Sequence, residues 1–453
     1  MVKRLQTWLV ALACFILLPA VQAQDNVDET LHITLEHAIE IALSENPTVI
    51  VAGKEVEVKK YARREAIGGL IPEVSIDASY SRALMKQKMA MDVEGESATF
   101  TVGTSNTYQG AVNVSLPIFA PALYRTINMS KEDMNLAVEK SRASKLDLVN
   151  EVTKAYMQIL LAQDSYDVLL KSYEQAKANF EVVNSKFVHG KVSEYDNIRA
   201  EVQMRSLKPS VISAENGIKL AKMQLKVLMG MSNPFDIIID GQLNDFEPLL
   251  YVDPIASKNS IDLSRNSDLK QLDISEKLLE QTVQLQRTNY YPTVSAAFDF
   301  SYLSMSEDFR IGHYRWFPSS SVGLNVSIPL FKASTSPKVK QSRIELAKLN
   351  HTRVNAQRQL TMQATSFLDN MEASAEQVDS NKESVRQAQK GREIARRMYE
   401  VGKGTILELN DSEVALTQAE LAYNQSIYDY LIARTDLKKV LGADEYDNFA
   451  IDK

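Results

Sequence analysis

The chain changes its hydrophobic period several times, and each change marks a change of element. Leu35, Ala38, Ile39, Ala42 and Leu43 lie at helical spacing behind Thr34, a residue suited to cap a helix. That pattern runs to about Gly68-Gly69, where the two glycines and Pro72 end it. The period then falls to two. Val74, Ile76, Ala78 and Tyr80 alternate with Ser75, Asp77, Ser79 and Ser81. Further on, Tyr108, Val112, Val114 and Leu116 alternate with Gln109, Asn113 and Ser115, so strands are predicted at about 74–84 and 107–116. The helical period then returns and holds. Val152, Ile159, Tyr166, Tyr173, Phe180 and Phe187 recur every seven residues. Ala155, Ala162, Leu169, Ala176, Val183 and Gly190 follow each by three, with no proline between Pro121 and Pro209. A helix of about 70 residues would be ~100 Å long. One globular core cannot bury such a rod, so long antiparallel helices must pack side by side as a coiled-coil bundle or tube.

The same order then recurs. Asn46-Pro47-Thr48 resembles Asn266-Ser267-Asp268, and Leu70-Ile71-Pro72-Glu73-Val74-Ser75 matches Tyr290-Tyr291-Pro292-Thr293-Val294-Ser295, both 220 positions apart. Three further blocks match 212 positions apart: Val114 to Phe119 with Val326 to Phe331, Phe187 to Lys191 with Tyr399 to Lys403, and Leu225 to Gly230 with Leu437 to Gly442. The eight-residue step falls between Pro72 and Pro117, which indicates a longer loop in the first half. Ordered matches with one change of length describe a tandem duplication of a large unit. The first unit is expected at 24–250 with a helix tip near 190, and the second at 251–442 with a tip near 402, leaving a tail at 443–453. In the second unit Val294, Ala296, Phe298, Phe300 and Tyr302 alternate with Ser295, Asp299 and Ser301, and Val322, Leu324, Val326 and Ile328 alternate with Ser321, Asn325 and Ser327. Strands are predicted there at about 294–304 and 320–328. Its long helix keeps the seam at Phe367, Met371, Val378, Val385, Ala388, Ala395 and Tyr399, with Asn381 and Arg392 interrupting.

Two environments produce such alternation: a half-buried soluble sheet, or strands of a transmembrane barrel with apolar side chains toward lipid. The N-terminus bears on the choice. Lys3 and Arg4, the apolar run Leu9 to Leu18, and Pro19 before Val21-Gln22-Ala23 form the pattern of a cleaved signal peptide at 1–23. No later stretch reaches the roughly 18 continuous apolar residues of a membrane-spanning helix. The aromatic loop Phe309, Tyr314, Trp316 and Phe317 suits an interfacial girdle. Four strands cannot close on themselves, and an open edge in lipid costs several kcal/mol for each unpaired backbone group. The smallest bacterial barrels need about eight strands, so strands that span a membrane here require several chains in one barrel.

Composition narrows the function. With 453 residues and a net charge of −7, a basic nucleic-acid-binding body is excluded. Gly (16) and Pro (13) are scarce, which favours long helices over glycine-rich α/β enzyme loops. The single cysteine, Cys14, falls in the expected signal peptide and leaves no disulfide scaffold. The five histidines have no metal-binding spacing, and there is no G-x-S-x-G, P-loop or G-x-G-x-x-G motif. No catalytic residue, cofactor or metal site is therefore expected.

The opening Leu35 to Leu43 with Asn46-Pro47 resembles the start of the TolC family of bacterial outer-membrane efflux channels. Pro72 and Pro292 before strands, and Pro117-Ile118-Phe119 and Pro329-Leu330-Phe331 after them, also resemble family positions. So do Val188-His189-Gly190-Lys191 and Val401-Gly402-Lys403-Gly404-Thr405 at the helix turns. The similarity covers essentially the whole chain after the signal segment. It implies a mainly α protein with four β-strands per chain, a homotrimer sharing a 12-stranded outer-membrane barrel, and a periplasmic α-barrel. It also implies a periplasmic adaptor protein and, through it, an inner-membrane transporter as partners. Carried over by position, Gly190, Lys191, Gly402 and Lys403 form the adaptor-docking tip, although glycine there also simply permits a left-handed turn. Glu408 and Asp411, three apart on one helix face, fall at the family's acidic pore constriction; an ordinary solvated face gives the same spacing. Asp196 and Tyr399 match the family's closed-state gate, and Gly404 replaces the basic residue expected beside them. The rival reading is an exported periplasmic coiled-coil adaptor or scaffold, which explains the heptads and the signal but not four matched alternating strands.

Overall fold

The structure is a computed structural model and describes residues 31–93, 96–231, 236–251, 261–309 and 314–443. The expected signal peptide at 1–23 and the tail beyond 443 lie outside the described residues. Strand β1 (Leu31–His32) is the first described element, followed by α1 (Leu35–Glu45) and α2 (Pro47–Gly68). The sequence pattern reads as one helix here, but the structure breaks it at Asn46. Pro47 pushes Asn46 out of the helical region, to φ −68° and ψ 123°, and the Asn46 side chain then caps α2 by accepting from the Thr48 amide at 2.8 Å.

A four-stranded antiparallel sheet follows, built from β2 (Glu73–Arg82), β5 (Asn106–Phe119), β7 (Thr293–Ser306) and β8 (Trp316–Ser327) in that spatial order. Its register separates two faces. One row runs Val74, Val114, Phe298, Val322; the next row, on the opposite face, runs Ser75, Asn113, Asp299, Ser321. Polar side chains on this face bond to one another at two points, Asn113 donating to Asp77 and Ser321 to Asp299. On the other face Ile76 and Val322 stand about four-fifths exposed. β8 starts at Trp316, so two of the aromatics expected in a loop belong to a strand.

Between β2 and β5 the expected long loop carries its own hairpin, β3 (Gln87–Val93) with β4 (Glu96–Val102). The sequence hid it because residues 83–92 contain no β-branched side chain.

The long helices are α3 (Pro121–Val188, 68 residues) and α6 (Thr335–Glu400, 66 residues). Each folds back at one end on a half-length helix, α4 (Glu194–Leu228) and α7 (Ile406–Leu441). Nearer the sheet they pack with α2 and with α5 (Ser267–Arg287). The heptad seam is real: Val152 and Ile159 are fully buried and Ala155 nearly so. Its two interruptions in α6 are both answered. Arg392 pairs with Glu413 of α7 at 2.8 Å and reaches Gln175 of α3 at 3.1 Å, while Asn381 donates to the Ala422 carbonyl at 3.1 Å.

The main core sits at mid-length, where Ile159 and Leu160 of α3 meet Leu225 of α4, Val378 of α6, and Ile427 and Leu437 of α7. The short parallel pair β1–β6 (Ile237–Ile238) and a 3-10 segment (Leu243–Tyr251) wrap this equator. Here the repeated sequence blocks take the same local structure. Asn46 donates to the Leu228 carbonyl at 2.8 Å, and Asn266 donates to the Val440 carbonyl at 2.7 Å. Each asparagine also caps the helix that follows it.

The candidate helix tip and gate

At the far end from the sheet, α3 turns into α4 and α6 into α7 through two hairpin turns of the same design. Gly190 and Gly402 take φ values of +68° and +72°. In the first turn the Lys191 amide donates to the Lys186 carbonyl at 2.8 Å; in the second, the Lys403 amide donates to the Met398 carbonyl at 2.9 Å. These are the bonds that satisfy the last carbonyls of a helix ending on a left-handed residue. Gly190, Lys191, Gly402 and Lys403 are all exposed.

The outgoing helices are capped alike. The Ser193 hydroxyl accepts from the Asp196 amide at 3.1 Å, and the Thr405 hydroxyl accepts from the Glu408 amide at 3.2 Å. Glu408 returns the favour by accepting from the Thr405 amide at 2.8 Å, a reciprocal capping box. Asp196 instead accepts from the Ser193 hydroxyl at 2.7 Å. Asp196 and Glu408, read from sequence as a gate residue and a constriction residue, thus occupy equivalent positions, each the third residue in the first turn of its helix. Asp411 lies one turn beyond Glu408, exposed on the same side of α7.

Tyr399 joins a small apolar cluster at the tip, with Phe180 and Val192 around Val183, Ala200, Ile406 and Leu409. Burial, and then the negative charge of Asp196, raise its phenol above the ordinary range, so the two residues read from sequence as a gate lie in the same part of the tip. The Lys186 ammonium stands 5.1 Å from the Tyr399 ring centre. Sequence reasoning missed this cation; the available signal was a lysine one turn before the Gly190 break. Gly404 is packed tightly, since a Cβ there would lie 3.1 Å from both the Met398 Cβ and the Tyr399 amide nitrogen. A basic side chain at that position would need the Met398–Tyr399 stretch to give by a few tenths of an ångström.

The tip is tied upward by polar bridges between helices, through Arg392 and Glu413 and through Thr417, which donates to the Ser172 hydroxyl at 3.0 Å. Among the described residues no group of histidine, cysteine, aspartate or glutamate side chains is placed to hold a metal ion. No described helix is long and apolar enough to cross a membrane.

Known proteins share this fold. The chain is 21% identical over 403 residues to outer membrane protein TolC of Escherichia coli K12, covering 85% of this chain and 78% of that protein. The Campylobacter jejuni CmeC outer membrane channel superposes with a TM-score of 0.71 at 21% identity, over 90% of this chain and 85% of that one. The Neisseria gonorrhoeae MtrE outer membrane channel, solved in an open state, gives 0.72 at 17% identity, over 90% and 88%. A family model described as outer membrane efflux protein matches residues 38–231 and again 260–443, one match in each half. The chain belongs to the outer membrane efflux protein family.

Proposed function

We propose that three copies of this chain form a passive exit duct through the bacterial outer membrane, closed or opened at the helix tip. The observation that carries this reading is the sheet. Among the described residues its outer strands β2 and β8 have no neighbour on one side, and one of its faces is apolar and exposed. In lipid, unpaired backbone groups are tolerated only if the sheet closes. Because the strands alternate in direction, β8 of one copy meets β2 of the next antiparallel, and three copies close a ring of twelve. The helices below offer matching apolar edges: Ile50, Val51, Val58 and Tyr61 on α2, and Ile344, Val354 and Met362 on α6 are all exposed.

The two halves, 24–250 and 251–442, are read as copies of one ancestral unit, supported by their shared asparagine and glycine contacts. The exposed turns at Gly190-Lys191 and Gly402-Lys403 are the proposed docking points for a periplasmic adaptor that links the duct to an inner-membrane transporter. Glu408 and Asp411 are the proposed acidic constriction, and Asp196 with Tyr399 the gate. Nothing in this mechanism transforms a substrate; the protein supplies a path, and a partner supplies energy.

The test is direct. The full chain should purify with the outer membrane as a detergent-stable trimer whose electrophoretic migration changes on heating, and should conduct in planar bilayers. A water-soluble monomer would overturn the proposal. Replacing Glu408 and Asp411 together with alanine should lower cation selectivity; unchanged selectivity removes them from the pore lining.

A further inference from the structure

The protein is acidic overall, yet the helix ends next to the sheet are basic. Arg63 and Arg64 end α2, Arg125 begins α3, Arg287 ends α5, and Lys340 and Arg343 lie in the first turns of α6. The same stretches hold Glu65, Glu280 and Glu345 as acids, the last of them paired with Lys348. Most basic residues farther along α6 are paired, Arg358 and Lys390 being the exceptions among the described residues. Farther along, Lys348, Arg353, Arg386, Arg392, Arg396 and Arg397 all have carboxylate partners. Among the described residues, Arg287, Lys340 and Arg343, like Lys332 and Lys338 beside them, have none.

Arg287, Tyr290, Tyr291, Val339, Lys340 and Arg343 line a cleft of about 340 Å³ between the end of α5 and the start of α6. β7 begins at Thr293, two residues past Tyr291, so the cleft lies at the helix-side margin of the sheet. Both tyrosines are about half exposed. Tyrosines of this kind favour the membrane–water boundary, and basic side chains just beyond it are drawn to anionic headgroups.

We propose that this collar binds anionic phospholipid headgroups of the leaflet facing the helices. The Arg287–Lys340–Arg343 cleft takes a phosphodiester, and Tyr290 and Tyr291 lie at the acyl boundary. The inference rests on the membrane-spanning reading of the sheet. Ring closure strengthens it. With β2 beside a neighbouring β8, the end of α2 with Arg63 and Arg64 comes against the first turns of a neighbouring α6. Assembly then gathers like charges, and bound anions offset their repulsion.

The test uses the full chain in nanodiscs of phosphatidylcholine alone or with added phosphatidylglycerol. At low salt, phosphatidylglycerol should be enriched among the lipids retained on the trimer and should raise its dissociation temperature. High salt should weaken both effects. An Arg287→Gln/Lys340→Gln/Arg343→Gln variant should lose the enrichment by about tenfold or more while still inserting as a trimer. Should that variant fail to assemble, Lys338→Gln/Lys340→Gln, at two exposed positions, should still lower the enrichment. A wild-type trimer that inserts and retains both lipids equally overturns the proposal and leaves the channel reading intact. A variant with unchanged lipid preference but altered ion selectivity overturns it too, by placing the cleft on the pore. Failure to insert in either bilayer refutes the membrane-spanning reading itself.

Discussion

Four glycines end the long helices in one backbone conformation, with φ between +66° and +72°, yet they do so in two different surroundings. At the tip, Gly190 and Gly402 have nothing within 4 Å of where a Cβ would stand. At the equator, a Cβ on Gly230 would run into the Glu45 carbonyl, and one on Gly442 into the Arg265 carbonyl. The tip glycines satisfy only the turn. The equatorial glycines satisfy the turn and let two helix ends close onto each other. The apolar cores differ in the same sense: four buried residues gather at the tip, whereas the equatorial cluster joins α1, α3, α4, α6 and α7. One end of the helices is closely packed and the other lightly.

Glycine substitution should expose this difference most strongly. Gly230→Ala or Gly442→Ala combines left-handed strain with backbone overlap, and is expected to cost about 3 kcal/mol or more. Gly190→Ala or Gly402→Ala carries the strain alone, about 1–2 kcal/mol. Thermal unfolding followed by circular dichroism would rank them; equal losses at both ends would break the comparison.

The equatorial asparagines come next. Asn266→Ala removes a helix cap and leaves the Val440 carbonyl without its donor, a loss of about 2 kcal/mol. Asn46→Ala should match it, because Asn46 makes the same two bonds to Thr48 and Leu228. A large disparity in melting temperature between the two variants would show that the two halves are not mechanically equivalent.

At the tip, Thr405→Ala should cost about 1 kcal/mol, through the capping box with Glu408. Ser193→Ala should cost a comparable amount, and neither should disturb equatorial packing. Hydrogen exchange localised to residues near 190 and 402 would check this. Protection lost at the equator as well would show that the two ends unfold together.

How far the sequence disclosed this contrast depends on the distance over which each feature is encoded. The seam through Val152 and Ile159 and the alternation from Val74 to Tyr80 are local periodicities, and both survive in the structure. The break at Asn46 was legible in principle, because Pro47 restricts the residue before it. The β3–β4 hairpin was not, lacking β-branched residues until Val93. Arg392 read as a flaw in the seam because its partners, Glu413 and Gln175, lie 21 and 217 positions away. The surroundings of the candidate gate were half legible. Position supplied Asp196 and Tyr399, but the approach of Lys186 and the crowding at Gly404 arise only when α3, α6 and the second turn meet.

Alkaline titration gives the smallest and most specific test. Tyr156, in the equatorial core, is pushed up to about 12 by burial, with Glu36 and Asp240 adding to it. Tyr399 at the tip is raised less, by burial and by Asp196. In both cases the folded state holds the phenol proton more tightly than the unfolded chain does. The resulting stabilisation is present below the unfolded value of about 10 and disappears as pH rises through the folded one. Tyr399 should therefore ionise before Tyr156, loosening the Phe180–Val192 cluster while the equator stays closed. Tyrosinate absorbance compared among wild type, Tyr399→Phe and Tyr156→Phe would assign the two steps. Because Tyr399 is only partly buried, its share of the stability change should be smaller than that of Tyr156. If Tyr156 ionised first, the equator would be the softer end and the division of labour between the two glycine pairs would have to be reversed.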